Sequence, residues 1–404
     1  MDGSVARLLQ ETWTSPVFGD TFPEQQMDQR HLWAERHIGA IATPVTSELS
    51  AALLDAMPEW DSATVARIVQ GEVRDKTISF GAALTGGEIG DLQPLIDLSV
   101  AVGLMYAADQ TIDRGDRLMV EAVESFGAPP VSSDQSTSLD QWDAATGERI
   151  HARSTMLHRI SEKTESLALP EDAPFVKACF IDQVLKNEAV MYRWSRAYES
   201  GNATEQQIFL TEHARALANT TTINAGFPSI SSSLYAIYRR YNPSLSPLSE
   251  VYKSKDMTDL LQVCNVIVRI WDELGDWEMD SGSTPHKGIF VLNPLNQYHN
   301  STVERYCELA NITDAGHINA LHKAFAGFHH SEAERGEHTT LILEMLRSHI
   351  RNYMTKFKTE KRQVWNKFEQ YIVLCKRVME IGYVNRIGDI ALANTEMESD
   401  SHDA

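Results

Sequence analysis

Asp272, Asp276 and Asp280 follow one another at four-residue intervals in "WDELGDWEMD", and Asp109 and Asp113 repeat that interval in "YAADQTIDRGD". At 1.5 Å rise per residue, carboxylates at i, i+4 and i+8 stand about 6 Å apart along nearly one face of a helix. Such a stripe is either solvated or holds something strongly positive. Acidic residues number 56 of 404, so the triplet alone is a weak signal. The second cluster adds weight, because Asp109 and Asp113 close the most apolar segment of the chain, "LIDLSVAVGLMYAAD". A buried helix cannot end in two ionised, uncompensated carboxylates without a large desolvation cost. Arg114 and Arg117, near in sequence, could compensate as ion pairs. Divalent cations shared between the two acidic helix ends could do so as well. Magnesium suits such sites, since it takes hard oxygen ligands from one or two carboxylates and completes its shell with water and phosphate.

The elements that must carry these residues read as helices. "TSELSAALLDAMPEW", "SATVARIVQGEVRDKTISFGAAL", "APFVKACFIDQVLKNEAVMYRWSRAYES", "DLLQVCNVIVRIWDELGDW", "TTLILEMLRSHIRNYMTKFK" and "RQVWNKFEQYIVLCKRVMEIGYVNRI" all show apolar residues at helical spacing. In the fourth of these, Val263, Ile267, Ile270, Leu274 and Trp277 form the apolar stripe, and the three aspartates lie largely on another side. "KGIFVLN" is the one stretch with a strand-like pattern. "ARALANTTTINAGFPSISSSLYAIYRR" begins as a helix and meets Gly226 and Pro228 around Phe227. That pair predicts either an ordinary helical corner or a break that lines a pocket with freed carbonyls.

Composition sets the class. Hydrophobic residues make up 43% and charged residues 23% of the chain, as in ordinary globular proteins. A formal charge of −20 argues against nucleic acid and anionic membrane surfaces as partners. The longest apolar run contains Asp97 and is too short to span a bilayer, so no stable membrane insertion is expected. Cys179, Cys264, Cys307 and Cys375 form no CxxC pair, which fits a reducing cytoplasm. Nothing at the N-terminus resembles a secretory signal. A single all-α domain over 29–390 is expected, after an irregular segment 1–28, with an exposed loop near 127–142 and a disordered acidic tail at 391–404.

In order and spacing, roughly residues 60 to 390 resemble the class I terpene synthases. The family carries an aspartate-rich motif, here "DQTID" from Asp109 to Asp113, and a later metal-binding triad, here "DELGDWEMD" from Asp272 to Asp280. Between them lies a broken helix with a small residue at the break, matched by Gly226, 46 residues before Asp272. The sequence also departs from the family. Gln110 stands at the usual second aspartate, Asp276 at the usual Ser or Thr, and Asp280 at the usual Glu. Thr222 occupies the place of the arginine that senses diphosphate, and no Arg-Tyr pair occurs near the C-terminus, where Arg351 with Tyr353 and Arg386 are the nearest candidates.

The resemblance implies an antiparallel helical bundle around an apolar cavity. Three Mg²⁺ ions would be held by Asp109, Asp113, Asp272, Asp276 and Asp280, with Asp109, Asp113 and Gly226 acting at the reacting end. The activity would be that of a carbon–oxygen lyase acting on phosphates: ionisation and cyclisation of geranylgeranyl or farnesyl diphosphate to a cyclic terpene hydrocarbon or alcohol. Phe80, Met105, Tyr106, Asn224, Phe227 and Trp271 are the expected pocket lining, with Trp194 a weaker choice. Homodimers are common in the family. A prenyl transferase or condensing synthase of the same fold is the nearest alternative, and a non-enzymatic helical scaffold with solvated acidic faces is the alternative of another class. A di-iron carboxylate enzyme needs Glu-x-x-His twice, and only Glu148 to His151 supplies it.

Overall fold

The structure is a computed structural model that describes residues 42–55, 60–69, 93–113, 144–180, 227–280, 300–330 and 335–379. Among these, 88% are helical and none is in a strand, as the periodicities predict. The strand-like stretch 287–293 lies outside them, as do segment 1–28, the loop at 127–142 and the tail 391–404. In chain order the helices are α1 (42–55), α2 (Ser62–Ile68), α3 (Gln93–Asp113), α4 (Ala144–Ser166), α5 (Ala173–Phe180) and α6 (Phe227–Tyr241). They continue with α7 (Leu248–Lys253), α8 (Lys255–Asp280), α9 (Asn300–Leu309), α10 (Ala315–His330), α11 (Arg335–Glu360) and α12 (Arg362–Met379). No described helix is long and apolar enough to cross a membrane.

Two helices are buried on every side. In α3 every residue from 94 to 105 is buried, and in α6 every residue from Ser231 to Ile237. Seven consecutive buried residues cover two turns, so α6 has neighbours all round. It packs against α3, α5, α8 and α12. One contiguous apolar cluster runs from Leu98 and Val102 of α3 through Phe227, Leu234 and Ile237 of α6 to Ile267 and Trp271 of α8 and Tyr371, Val378 and Met379 of α12. Two of the serines that interrupt α6 are hydrogen-bonded, whereas the buried Ser233 hydroxyl has no partner among the described residues. Ser231 donates to the Phe227 carbonyl at 2.7 Å, and Ser232 meets the hydroxyls of Tyr252 and, at 3.1 Å, Tyr371.

The order of contacts along each helix fixes direction. Tyr241, at the end of α6, donates to Asp97, near the start of α3. On the other side of α6, Tyr235 meets Tyr371 edge-on with centroids 4.8 Å apart, and Ser231 lies against Cys375. Both α3 and α12 therefore run antiparallel to α6. Lys361, just before α12, bridges Asp256 at the start of α8 at 2.9 Å, and Cys375 is near enough to Cys264 to act on it electrostatically. So α8 is parallel to α12, and α3 and α8 point the same way.

Two further contacts carry stability predictions. Helices α10 and α11 approach closely at Gly327, where an added Cβ would stand 2.1 Å from Nε2 of His338. Gly327→Ala is expected to force the imidazole aside and cost about 1–3 kcal/mol, read from urea unfolding. His349 of α11 donates from Nε2 to the Ala310 carbonyl at 2.8 Å. Its burial, helped by His317, holds the imidazole below its ordinary value despite that carbonyl. As pH falls through the ordinary histidine range near pH 6.5, the unfolded chain takes up a proton that the folded chain refuses. Stability is thus expected to fall between about pH 7.5 and pH 5.5, and His349→Gln to flatten that decline in the urea midpoint.

Candidate functional site

Helix α6 begins at Phe227, and Pro228 lies in its first turn, where a missing N–H costs nothing and the fixed φ suits a helix. The proline therefore suits the first described turn of this helix. Gly226, Asn224, Phe80, Thr222 and Trp194 lie outside the described residues.

The aspartates occupy two helix ends. Asp109 and Asp113 fall in the final turns of α3, and Asp272, Asp276 and Asp280 in the final turns of α8. Their side chains, and that of Tyr106, lie outside what the structure describes, but the backbone gives their axial position. Starting from the Asp97–Tyr241 contact, Asp109 is about 18 Å up α3 and Phe227 about 21 Å along α6 in the same direction. Starting from the level of Cys264 and Ser231, Asp272 is about 12 Å up α8 and Phe227 about 6 Å along α6. The two acidic helix ends and the start of α6 thus share one end of the bundle.

Neither α3 nor α8 has a basic residue in its last turn. Helix C-termini carry partial negative charge and favour Lys, Arg or His. Placing carboxylates there on both helices concentrates negative charge at one end of the molecule. Among the described residues no group of three His, Cys, Asp or Glu side chains is placed to hold a metal. The five aspartate side chains are not among them. As a donor set they are all hard carboxylate oxygens, and the C-terminal helix ends add to their negative field. That combination fits a divalent cation of the magnesium type.

Beneath this end the packing is apolar. Phe227 and Trp271 are fully buried in the core cluster, and Met105 is buried one turn before Asp109. The indole Nε1 of Trp271 is buried without a hydrogen-bond partner among the described residues. On α8 the polar stripe that leads to the acidic triad is covered rather than open. Asn265 is 4% exposed, and Arg269, one turn before Asp272, is half-buried. A purely solvated face would leave these positions open.

Tyr306 of α9, which packs on α8, was not foreseen from the sequence. It is buried, its hydroxyl has no hydrogen-bond partner among the described residues, and Arg269 lies near enough to act on it electrostatically. A lone tyrosine in a short helix gives no local signal of such a contact. Compared with family models, with curated proteins and with solved structures, the chain matches none.

Proposed function

We propose that the protein is a class I terpene synthase that ionises and cyclises a linear isoprenyl diphosphate, farnesyl or geranylgeranyl diphosphate. The observation that carries this reading is that two aspartate-ended helices finish at the same end of a buried bundle. Their shared direction follows from the contacts of α6. Support also comes from the absence of basic residues in both last turns and from the spacing of "DQTID", Gly226 and "DELGDWEMD".

Asp109 and Asp113 from α3, with Asp272, Asp276 and Asp280 from α8, would hold Mg²⁺. The chemistry that bound Mg²⁺ supplies is neutralisation of the diphosphate as a leaving group. The chain's own part is to hold the carboxylates on two rigid helices and to keep water from the reacting carbon. In the reaction, the allylic C–O bond breaks and its electron pair leaves with the diphosphate oxygen. The resulting cation closes a ring through an internal double bond. Loss of a proton, or capture of water, then ends the sequence. Met105, Phe227 and Trp271 offer apolar and aromatic surface at the level of Asp109, and aromatic faces stabilise a cation without acting as nucleophiles.

The direct test is incubation of the purified protein with farnesyl, geranylgeranyl and geranylfarnesyl diphosphates, with and without Mg²⁺, with products read by gas chromatography and mass spectrometry. A cyclic hydrocarbon or alcohol formed only with Mg²⁺ is the expected outcome. A longer linear diphosphate would identify a prenyl transferase instead. Absence of Mg²⁺-dependent turnover on all three would leave a helical scaffold.

A further inference from the structure

Charge is spread unevenly over this chain. Nine Lys or Arg and only two Glu stand between positions 345 and 379, although the whole chain carries −20. Six of those cations are exposed: Arg351, Lys356, Lys358, Lys361, Arg362 and Lys367. They gather around the corner where α11 gives way to α12. Lys361 pairs with Asp256 and Lys367 with Glu250, both at 2.9 Å, and Lys356 stands 4.0 Å from Glu360. Lys358 and Arg362 have no carboxylate partner among the described residues. The Lys358 ammonium lies 5.1 Å from the centre of the Trp365 ring, and that indole donates to Glu369 at 3.2 Å. The cation is thus positioned before any partner arrives, which lowers the entropy lost on pairing.

Both ends of the bundle are charged against their own helices. Helix N-termini favour anions and C-termini favour cations. Helix α12 opens on Arg362 and has no acidic residue in its first turn. Helix α8 closes with five acidic residues between 271 and 280, and neither it nor α3 has a basic residue in its last turn. Sequences break such local rules chiefly where a function offsets the cost. The Lys361–Asp256 pair places the basic corner at the start of α8, about 36 Å along that helix from Asp280. Charges are screened over about 8 Å at physiological salt, so the two ends do not neutralise each other within one molecule. Only between molecules do they come together.

We propose that the basic corner of α11 and α12 docks on the acidic end of a second copy of this chain. Charge complementarity names the occupant, since every copy presents both surfaces. The contact joins two different surfaces, so copies add head to tail rather than closing as a symmetric pair. Exposed ion pairs are individually weak and salt-sensitive, so the contact belongs to low ionic strength. It stands apart from the function proposed above, and divalent cations at the aspartates would compete with it.

Sedimentation velocity of the full chain in EDTA tests the contact. In about 20 mM salt the average mass should rise above that of one chain between about 2 and about 100 µM, and in about 0.5 M salt it should not. Lys358→Glu with Arg362→Glu reverses the basic corner, and Asp272→Asn with Asp276→Asn weakens the acidic end. Each double variant alone should associate at least about tenfold more weakly than the parent chain. Mixed, the two should form a one-to-one dimer, because one keeps the acidic end and the other the basic corner. Should the aspartate variant fail to fold, the salt dependence and the corner variant decide. A parent chain that stays monomeric in low salt overturns the proposal, as does association that survives in the corner variant. Two folded variants that do not pair overturn the head-to-tail geometry. A chain monomeric throughout that sediments with phosphatidylserine vesicles, and loses this in the corner variant, would make the corner a lipid contact instead.

Discussion

Asp109→Asn and Asp276→Asn are each expected to lower Mg²⁺-dependent release of diphosphate at least a hundredfold, which is about 2.7 kcal/mol of lost transition-state stabilisation. Asparagine keeps the size and one oxygen of aspartate but gives up the charge that draws a divalent cation. The two residues come from different helices, α3 and α8, which end at the same end of the bundle because both run antiparallel to α6. If both helix ends hold the same cations, each substitution should raise the Mg²⁺ concentration needed for half-maximal turnover, and excess Mg²⁺ should restore part of the rate. Asp97→Asn serves as the control. Asp97 sits on the same helix but near its start, where it accepts from Gln93 at 2.8 Å and from Tyr241. Its loss should touch stability and leave the Mg²⁺ dependence where it was. Equal turnover by the parent chain and by Asp276→Asn across a Mg²⁺ titration would make the acidic stripe of α8 a solvated face.

Asp172→Ala is expected to cost the fold about 3–5 kcal/mol, a large share of the stability of an ordinary domain. Asp172 is fully buried in the turn before α5, and Arg239, near the end of α6, is 4% exposed. The two form an ion pair, and Asp172 also accepts from the Leu248 amide at 3.0 Å at the start of α7. Arg239 in turn donates from Nε to the Leu245 carbonyl at 2.9 Å. One carboxylate therefore ties α5, α6 and α7 together at the end of the bundle opposite the aspartates. Alanine at 172 would leave a buried guanidinium without its main counter-ion, which is worse than losing both charges. Glu171 also reaches Arg239 at 2.9 Å but is 54% exposed at its side chain, so it cannot make up the loss. Urea unfolding at neutral pH gives the measurement. A double cycle with Arg239→Met should recover part of the loss. A cost under about 1 kcal/mol for Asp172→Ala would show that the corner is held by packing alone.

Much of the helical architecture was legible beforehand because periodicity is local. The apolar stripe of α8 and the apolar run of α3 follow from spacing alone, and Val263, Ile267, Ile270 and Leu274 of the stripe and residues 94–105 of the run are buried as that spacing requires. The four-residue spacing of the aspartates likewise needed nothing beyond the helix they stand on.

Local pattern carries no information about which helix lies beside which, or in which direction. Arg239 meets Asp172 across 67 positions and Ser232 meets Tyr371 across 139. Such pairs form only once the apolar faces have chosen their neighbours, because burial is non-directional and fixes no polar partner by itself. That choice decided what the sequence left open: that α3 and α8 end at the same end of the bundle.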